Sequence, residues 1–347
     1  MEIDSGKNDL PNEAADETPI PVSRRQASEE QGAPAVGRDD ELETRSIVSE
    51  DGEPHGLSQD MLADPSNAPL THYSSRSEIR NPVRLLGDLV GDVSKGRELA
   101  WRLFVRNLRG LYRQTFLGLF WAFLPPIANT AFWVFLRQAK VFSTTELQVH
   151  HTVYILTSMI FWQAFIDAFQ MPLNMLNKNR NMISKLNFPR ESLLMVGLGE
   201  VVFDLLIRLL LLIPAFWFYG VTLHASVLLI PFALIALIMV GAGLGLLILP
   251  VGSLYQDVGR FISIALPFWM ILTPIIYVPF TEFPGSLLNW INPASPLIIV
   301  ARDWALMGGT SYGVIGWTYG LVALPLFVLG LVVYRVSIPV LIERMNA

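Results

Sequence analysis

Glu200, Asp204 and Arg208 follow one another at intervals of four residues, which on a helix sets two acids and a base along one face. All three lie inside an apolar run, where an ionisable group is costly and normally faces a bundle interior or a wet cavity. Two roles are open to them: charge pairing that fastens helices together, or contact with a polar molecule on its way across a bilayer. Asp204 and Arg208 are spaced to pair within the helix. Asp167, near the inner end of an earlier apolar run, is open to the same two readings.

Aromatic residues form a second group. Trp121, Phe132, Trp133 and Phe135 share one apolar run, and Phe268, Trp269 and Tyr277 another. Core packing or an interfacial belt accounts for such residues by default. The alternative chemistry is stacking on the C–H faces of sugar rings in a conduit, with Trp121 and Trp269 on its wall.

A third group is cationic. Arg102, Arg106, Arg109 and Arg113 recur at intervals of four, three and four, so they line one helical face, alternating along the chain with Leu99, Leu103, Val105, Leu108 and Leu111. This pattern over residues 81–115 predicts an amphipathic helix lying along the membrane surface, just ahead of the first apolar run.

Several chemistries are missing from the sequence. It has no GxxxxGK[ST] phosphate loop, so the chain is not expected to hydrolyse ATP. Its lack of cysteine excludes thiolate catalysis and disulfides. No HExxH pair, metal-like His cluster or nucleophile elbow occurs, so no catalytic residue, metal or cofactor is expected, and no nucleic-acid partner. Gly241-Ala242-Gly243-Leu244-Gly245 is Gly-rich but lies in an apolar run without Lys, which points to close helix packing.

The elements that must position these groups are written in the composition. Of 347 residues, 52% are hydrophobic and 16% charged, against roughly a quarter charged in soluble domains. Residues 1–64 hold 17 acidic against 5 basic residues, a net of −12, whereas the remainder holds 13 against 20, a net of +7. The acidic balance therefore belongs to the tail. Residues 1–80, rich in Pro, Glu, Asp, Ser and Gly without periodicity, read as a disordered acidic extension with no signal-peptide pattern.

Six stretches approach the roughly 20 apolar residues a membrane helix needs: 116–136, 154–173, 193–219, 224–249, 261–280 and 314–336. Pro125-Pro126 lies inside the first. Between the fifth and sixth, residues 281–313 are apolar but broken by Pro284, Pro293, Pro296, Gly308 and Gly309. Their two short runs, 287–291 and 297–307, predict re-entrant or external half-helices. The expected fold is thus an all-α integral membrane protein of six transmembrane helices over 116–340. Lys and Arg number 12 on one side, among them Lys178, Arg180, Lys185 and Arg190, against Arg137, Lys140 and Arg302 on the other. That bias puts both termini in the cytoplasm.

Four short motifs in this register carry a family resemblance. Tyr112-Arg113-Gln114-Thr115 leading through Gly118 to Trp121 and Pro125 resembles the start of the first span of ABC-2 type polysaccharide export permeases. Asn187-Phe188-Pro189-Arg190-Glu191 resembles their "FPRE" element. Tyr255-Gln256-Asp257-Val258-Gly259-Arg260 resembles "YRDxxR", with Gln256 in place of the usual Arg. Leu272-Thr273-Pro274 through Tyr277, with Asn292, Pro293 and Arg302, resembles the external gate region. The likeness covers residues 83–340; the acidic extension departs from it.

The resemblance implies a permease subunit in the inner membrane that exports lipid-linked polysaccharide, such as O-antigen or capsule. It implies two copies of the chain around a conduit lined by the first and fifth spans, with two copies of a separate ATPase. Lys185 and Asn187 to Glu191 would dock on that ATPase, and Asp257 and Arg260 form a cytoplasmic turn. The segment's own chemistry agrees: it is basic, short and stiffened by Pro189 where it enters the third span. Small-molecule ABC-2 exporters and membrane-embedded glycan-modifying enzymes are the rival classes.

Overall fold

In a computed structural model of the chain, residues 82–113, 120–140, 149–185, 191–310 and 312–346 are described. They all belong to the second of the two units into which the chain divides, Thr71–Ala347. The acidic extension lies outside the described residues, as do residues 114–119 and Asn187, Phe188, Pro189 and Arg190. The described residues form eleven α-helices and a 3₁₀ turn, with no strand among them.

The first helix, α1 (Pro82–Arg113), covers the expected interfacial segment. Then come α2 (Phe120–Gln138), α3 (His151–Lys178), α4 (Arg180–Lys185), α5 (Glu191–Leu210) and α6 (Leu212–Phe218). The 3₁₀ turn Ala225–Leu229 leads into α7 (Ile230–Leu254), followed by α8 (Gln256–Leu272), α9 (Ser286–Ile291), α10 (Ser295–Leu306) and α11 (Gly313–Asn346).

Four stretches are long and apolar enough to cross a membrane: His151–Lys178, Glu191–Phe218, Ala225–Leu254 and Gly313–Leu341. They match the second, third, fourth and sixth expected spans. The expected first and fifth spans are α2 and α8, and neither reaches that standard by length and composition. The cause is visible in their residues. α2 has 19 residues and includes Pro125, Pro126, Asn129, Thr130 and Arg137. α8 has 17 residues and opens with Gln256, Asp257 and Arg260.

Lipid tails are as apolar as Leu, so burial alone does not drive membrane helices together; close packing and polar pairs must. The core uses both. α3 packs against α5 and α7, and α7 against α11. A Cβ at Gly241 would sit 2.7 Å from the Phe165 carbonyl oxygen, and one at Gly330 2.8 Å from the Gly243 carbonyl oxygen. Only glycine lets these backbones approach so closely, as the Gly-rich run predicts.

α1 lies on α5. Ala100 and Leu103 are buried at that contact, the Phe104 ring packs over Gly199, and Ser192 Oγ donates to the Gly96 carbonyl at 3.4 Å. Trp101, Arg102, Arg106 and Arg109 face outward. The short helices α9 and α10 coincide with the two apolar runs between the fifth and sixth expected spans. α10 is buried along its whole length.

Candidate substrate groove and its supports

A groove of about 310 Å³ opens between α2, α3 and α8. Its polar lining is Asn129 from α2, Gln163 and Gln170 from α3, and Ser263 from α8. Pro126, Met159, Trp162, Ile166 and Met270 are among its apolar neighbours. Helical spacing puts these side chains on shared faces: Met159, Gln163, Ile166 and Gln170 on α3, and Ser263, Leu266, Pro267 and Met270 on α8. The polar lining consists of amides and a hydroxyl, without formal charge.

Behind the groove stands the intramembrane charge cluster. Arg208 Nη1 pairs with Asp167 Oδ2, joining α5 to α3. The other carboxylate oxygen, Oδ1, accepts from Gln163 Nε2 at 2.9 Å. The expected pairing of Arg208 with Asp204 inside α5 is replaced by this cross-helix bridge. Glu200 accepts from Asn107 Nδ2 of α1 at 2.8 Å. Glu200 and Arg208, on one face of α5, thus reach different neighbours, because α1 and α3 pack against different parts of α5; Asp204, between them, is half-buried.

The aromatic residues divide into two sets. Trp121, Phe132 and Phe268 are 52%, 55% and 66% exposed. Trp133 is half-buried against Phe132. Trp269 is half-buried, its ring edge-on to Trp162, Phe165 and Phe169 of α3 at 5.2–6.1 Å. Its Nε1 donates to Asn292 Oδ1 at 3.0 Å. Tyr277 is half-buried and donates to the Ile271 carbonyl at 3.1 Å.

Asn292 and Arg302 fasten the segment after α8. Asn292 Nδ2 donates to Thr273 Oγ1 at 2.8 Å, and its Oδ1 also accepts from the Ala294 N–H at 3.1 Å. Pro293, between them, is half-buried. Arg302, 1% exposed, donates to the Pro274 carbonyl at 2.8 Å and lies 3.3 Å from Asp303 Oδ1. Asp303 Oδ2 accepts from Thr310 at 2.9 Å. Sequence reasoning missed Tyr154, Ser158 and Asp303, which complete this cluster, and the groove amides.

On the side read as cytoplasmic, Arg102 pairs with Glu98 at 2.5 Å, both exposed. Arg106 donates to Asn107 Oδ1 at 3.3 Å, and Arg109 is exposed. Asp257 and Arg260 form an exposed pair at 3.4 Å. Glu191, expected beside Arg190, lies 3.7 Å from Arg335 of α11. Lys185 ends α4, which packs against α11.

The described residues thus form apolar helices, four of the stretches long enough to cross a membrane, beside a neutral, amide-lined groove. The chain belongs to the ABC-2 type transporter family, whose profile matches residues 98–303. It is similar to the O-antigen export system permease protein RfbA of Klebsiella pneumoniae, at 23% identity over 222 residues, 62% of this chain and 82% of that protein. It is also similar to the protein of the same name from Myxococcus xanthus, at 24% over 217 residues, 60% of this chain and 81% of that one.

Proposed function

We propose that this chain is the membrane-spanning subunit of an ATP-driven exporter that carries a lipid-linked polysaccharide across the cytoplasmic membrane. The observation that carries the substrate class is the groove. Its amides and hydroxyl offer hydrogen bonds without charge, and Trp121, Phe132 and Phe268 stand exposed on the two helices beside it. Sugars present alternating hydroxyls and C–H faces, which such a surface can hold weakly and release. The permeases named for O-antigen export support the same cargo.

In this reading α2 and α8 complete a six-span bundle. They are the shortest of the six, and one side of each faces a hydrated conduit rather than lipid. Two copies of the chain enclose that conduit, and a separate ATPase docks from the cytoplasm. Glu282, in the segment before α9, is then external. A Glu282→Cys variant of this cysteine-free chain should react with an impermeant thiol reagent added outside; labelling from the cytoplasmic side alone would reverse the topology.

Deleting the chain in its own cell should deplete surface polysaccharide and accumulate lipid-linked glycan inside. Surface polysaccharide at normal amounts would overturn the cargo and favour a small molecule instead.

A further inference from the structure

Gln163 is a polar residue in a membrane helix, half-buried, and one of the groove's amides. An amide can turn either its N–H₂ or its carbonyl oxygen toward a neighbour. Here the neighbour decides. Asp167, one turn further along α3, is held in an ion pair with Arg208, and a carboxylate in that state only accepts hydrogen bonds. It therefore takes the Gln163 amide nitrogen, at 2.9 Å. The carbonyl oxygen, Oε1, is left without a hydrogen-bond donor among the described residues.

We propose that the Asp167–Arg208 pair positions Gln163 so that Oε1 serves as an acceptor in the groove for a hydroxyl of the passing glycan. Gln163 is then a specificity-determining residue and Asp167 its positioning residue. The inference rests on the glycan-export reading and adds to it a contact on α3, behind the exposed aromatic rings of α2 and α8. Three layers act in series. Arg208 on α5 fixes Asp167, Asp167 fixes the amide, and the amide sets which polarity the groove presents. Without the pair, the amide would be free to flip, and the groove would offer donor and acceptor indifferently. A neutral acceptor bonded to one donor at a time gives a contact that breaks easily, which suits passage more than retention.

The same hydroxyl chemistry is carried by the glycerol headgroup of phosphatidylglycerol, so the test separates the two sources. The exporter, with its ATPase, is reconstituted in vesicles of phosphatidylethanolamine and phosphatidylglycerol. The probe is the cell's own lipid-linked glycan, extracted from a strain lacking this chain; no accumulation there would refute the export reading itself rather than this contact. Gln163→Leu keeps the size and removes the acceptor. It should lower glycan-stimulated hydrolysis and export about three- to tenfold, the worth of one hydrogen bond, a larger fall than in glycan-free vesicles, with normal protein in the membrane. Asp167→Asn should do the same, and the double variant should be no worse than Gln163→Leu alone. If Asp167→Asn fails to accumulate, Arg208→Gln takes its place: it removes the ion pair, should lower glycan-stimulated export with Gln163 present, and should add no loss in the Gln163→Leu background.

Normal export by Gln163→Leu overturns the proposal. So does multiplication of the two losses in the double variant, which would mean independent roles. An equal fall in glycan-free vesicles would give the contact to the lipid headgroup and overturn it as well.

Discussion

The Arg302 guanidinium lies 4.0 Å from the centre of the Tyr154 ring. The ring face is electron-rich, and a cation held over it in a dry setting is attracted by about 2 kcal/mol. Arg302 also bonds the Pro274 carbonyl, and Tyr154 donates to the Tyr277 carbonyl at 3.1 Å. Two residues from α10 and α3 therefore hold both ends of the turn that follows α8.

Removing this cation should be costly. Arg302→Ala would leave the Asp303 carboxylate without its partner in a buried position, a loss of about 3–5 kcal/mol. Arg302→Lys keeps charge but cannot reach Pro274, Ser158 and Asp303 together, since an ammonium lacks the planar fork. Thermal unfolding of the purified chain should show a large fall in midpoint for the first variant and a smaller one for the second. An unchanged midpoint in Arg302→Ala would mean the cluster contributes no stability.

The glycine contacts make a second test. A Cβ at Gly245 would run into the Phe169 carbonyl, whereas one at Gly309 meets nothing within 4 Å. Gly245→Ala should push α7 away from α3 and cost about 1–3 kcal/mol, as overpacking does. Gly309→Ala should unfold at the wild-type midpoint. Equal midpoints for both variants would remove the close-packing account of the Gly-rich run.

Much of this is legible in the amino-acid sequence. Runs of apolar residues marked the four strongest spans, because length and hydropathy are local properties. The Arg102–Arg113 row marked α1 for the same reason. What escaped were partners chosen by packing. Nothing local says that Arg208 will leave Asp204 for Asp167, 41 residues earlier, or that Glu191 will meet Arg335. The groove amides did leave a signal. Gln163 and Gln170 are seven residues apart on an apolar helix, two turns along one face. A neutral amide alone in an apolar run carries no sign of a site until its neighbours on α2 and α8 are in place.

The two aromatic sets should respond differently to truncation. Trp121→Ala and Phe268→Ala remove exposed rings, so protein levels should hold while export falls, each stacking contact being worth about 0.5–1.5 kcal/mol. Trp269→Ala removes a packed ring and the donor to Asn292, so it should lower stability by about 3–5 kcal/mol. Quantified membrane protein and surface glycan, measured together, distinguish these patterns. Normal export by Trp121→Ala and Phe268→Ala would reduce those rings to lipid-facing aromatics.

The last prediction concerns the route by which the ATPase drives the bundle. The expected docking residues are Lys185 and Asn187 to Glu191; 186–190 lie outside the described residues, and the helices on either side of that stretch are both tied to α11. Before it, α4 packs against α11. After it, Glu191 at the first turn of α5 lies 3.7 Å from Arg335, with both side chains 12% exposed. A push on the motif would therefore reach α5 and α11 together, and α11 is the helix packed along α7. Pro189 restricts Phe188 and its own backbone, leaving little slack in the connection. Phe188→Ala should weaken ATPase recruitment, by a few kcal/mol if the ring is a hot spot. Glu191→Gln should behave otherwise: the ATPase should still bind, while its stimulation by glycan falls, because docking is intact and the tie to α11 is lost. Exchanging the charges in Glu191→Arg with Arg335→Glu should recover part of that stimulation. Co-purification of the ATPase and its hydrolysis rate with glycan, taken on the same preparations, separate recruitment from transmission. Loss of recruitment in Glu191→Gln, or normal stimulation in it, would break the division of labour between the motif and the bridge behind it.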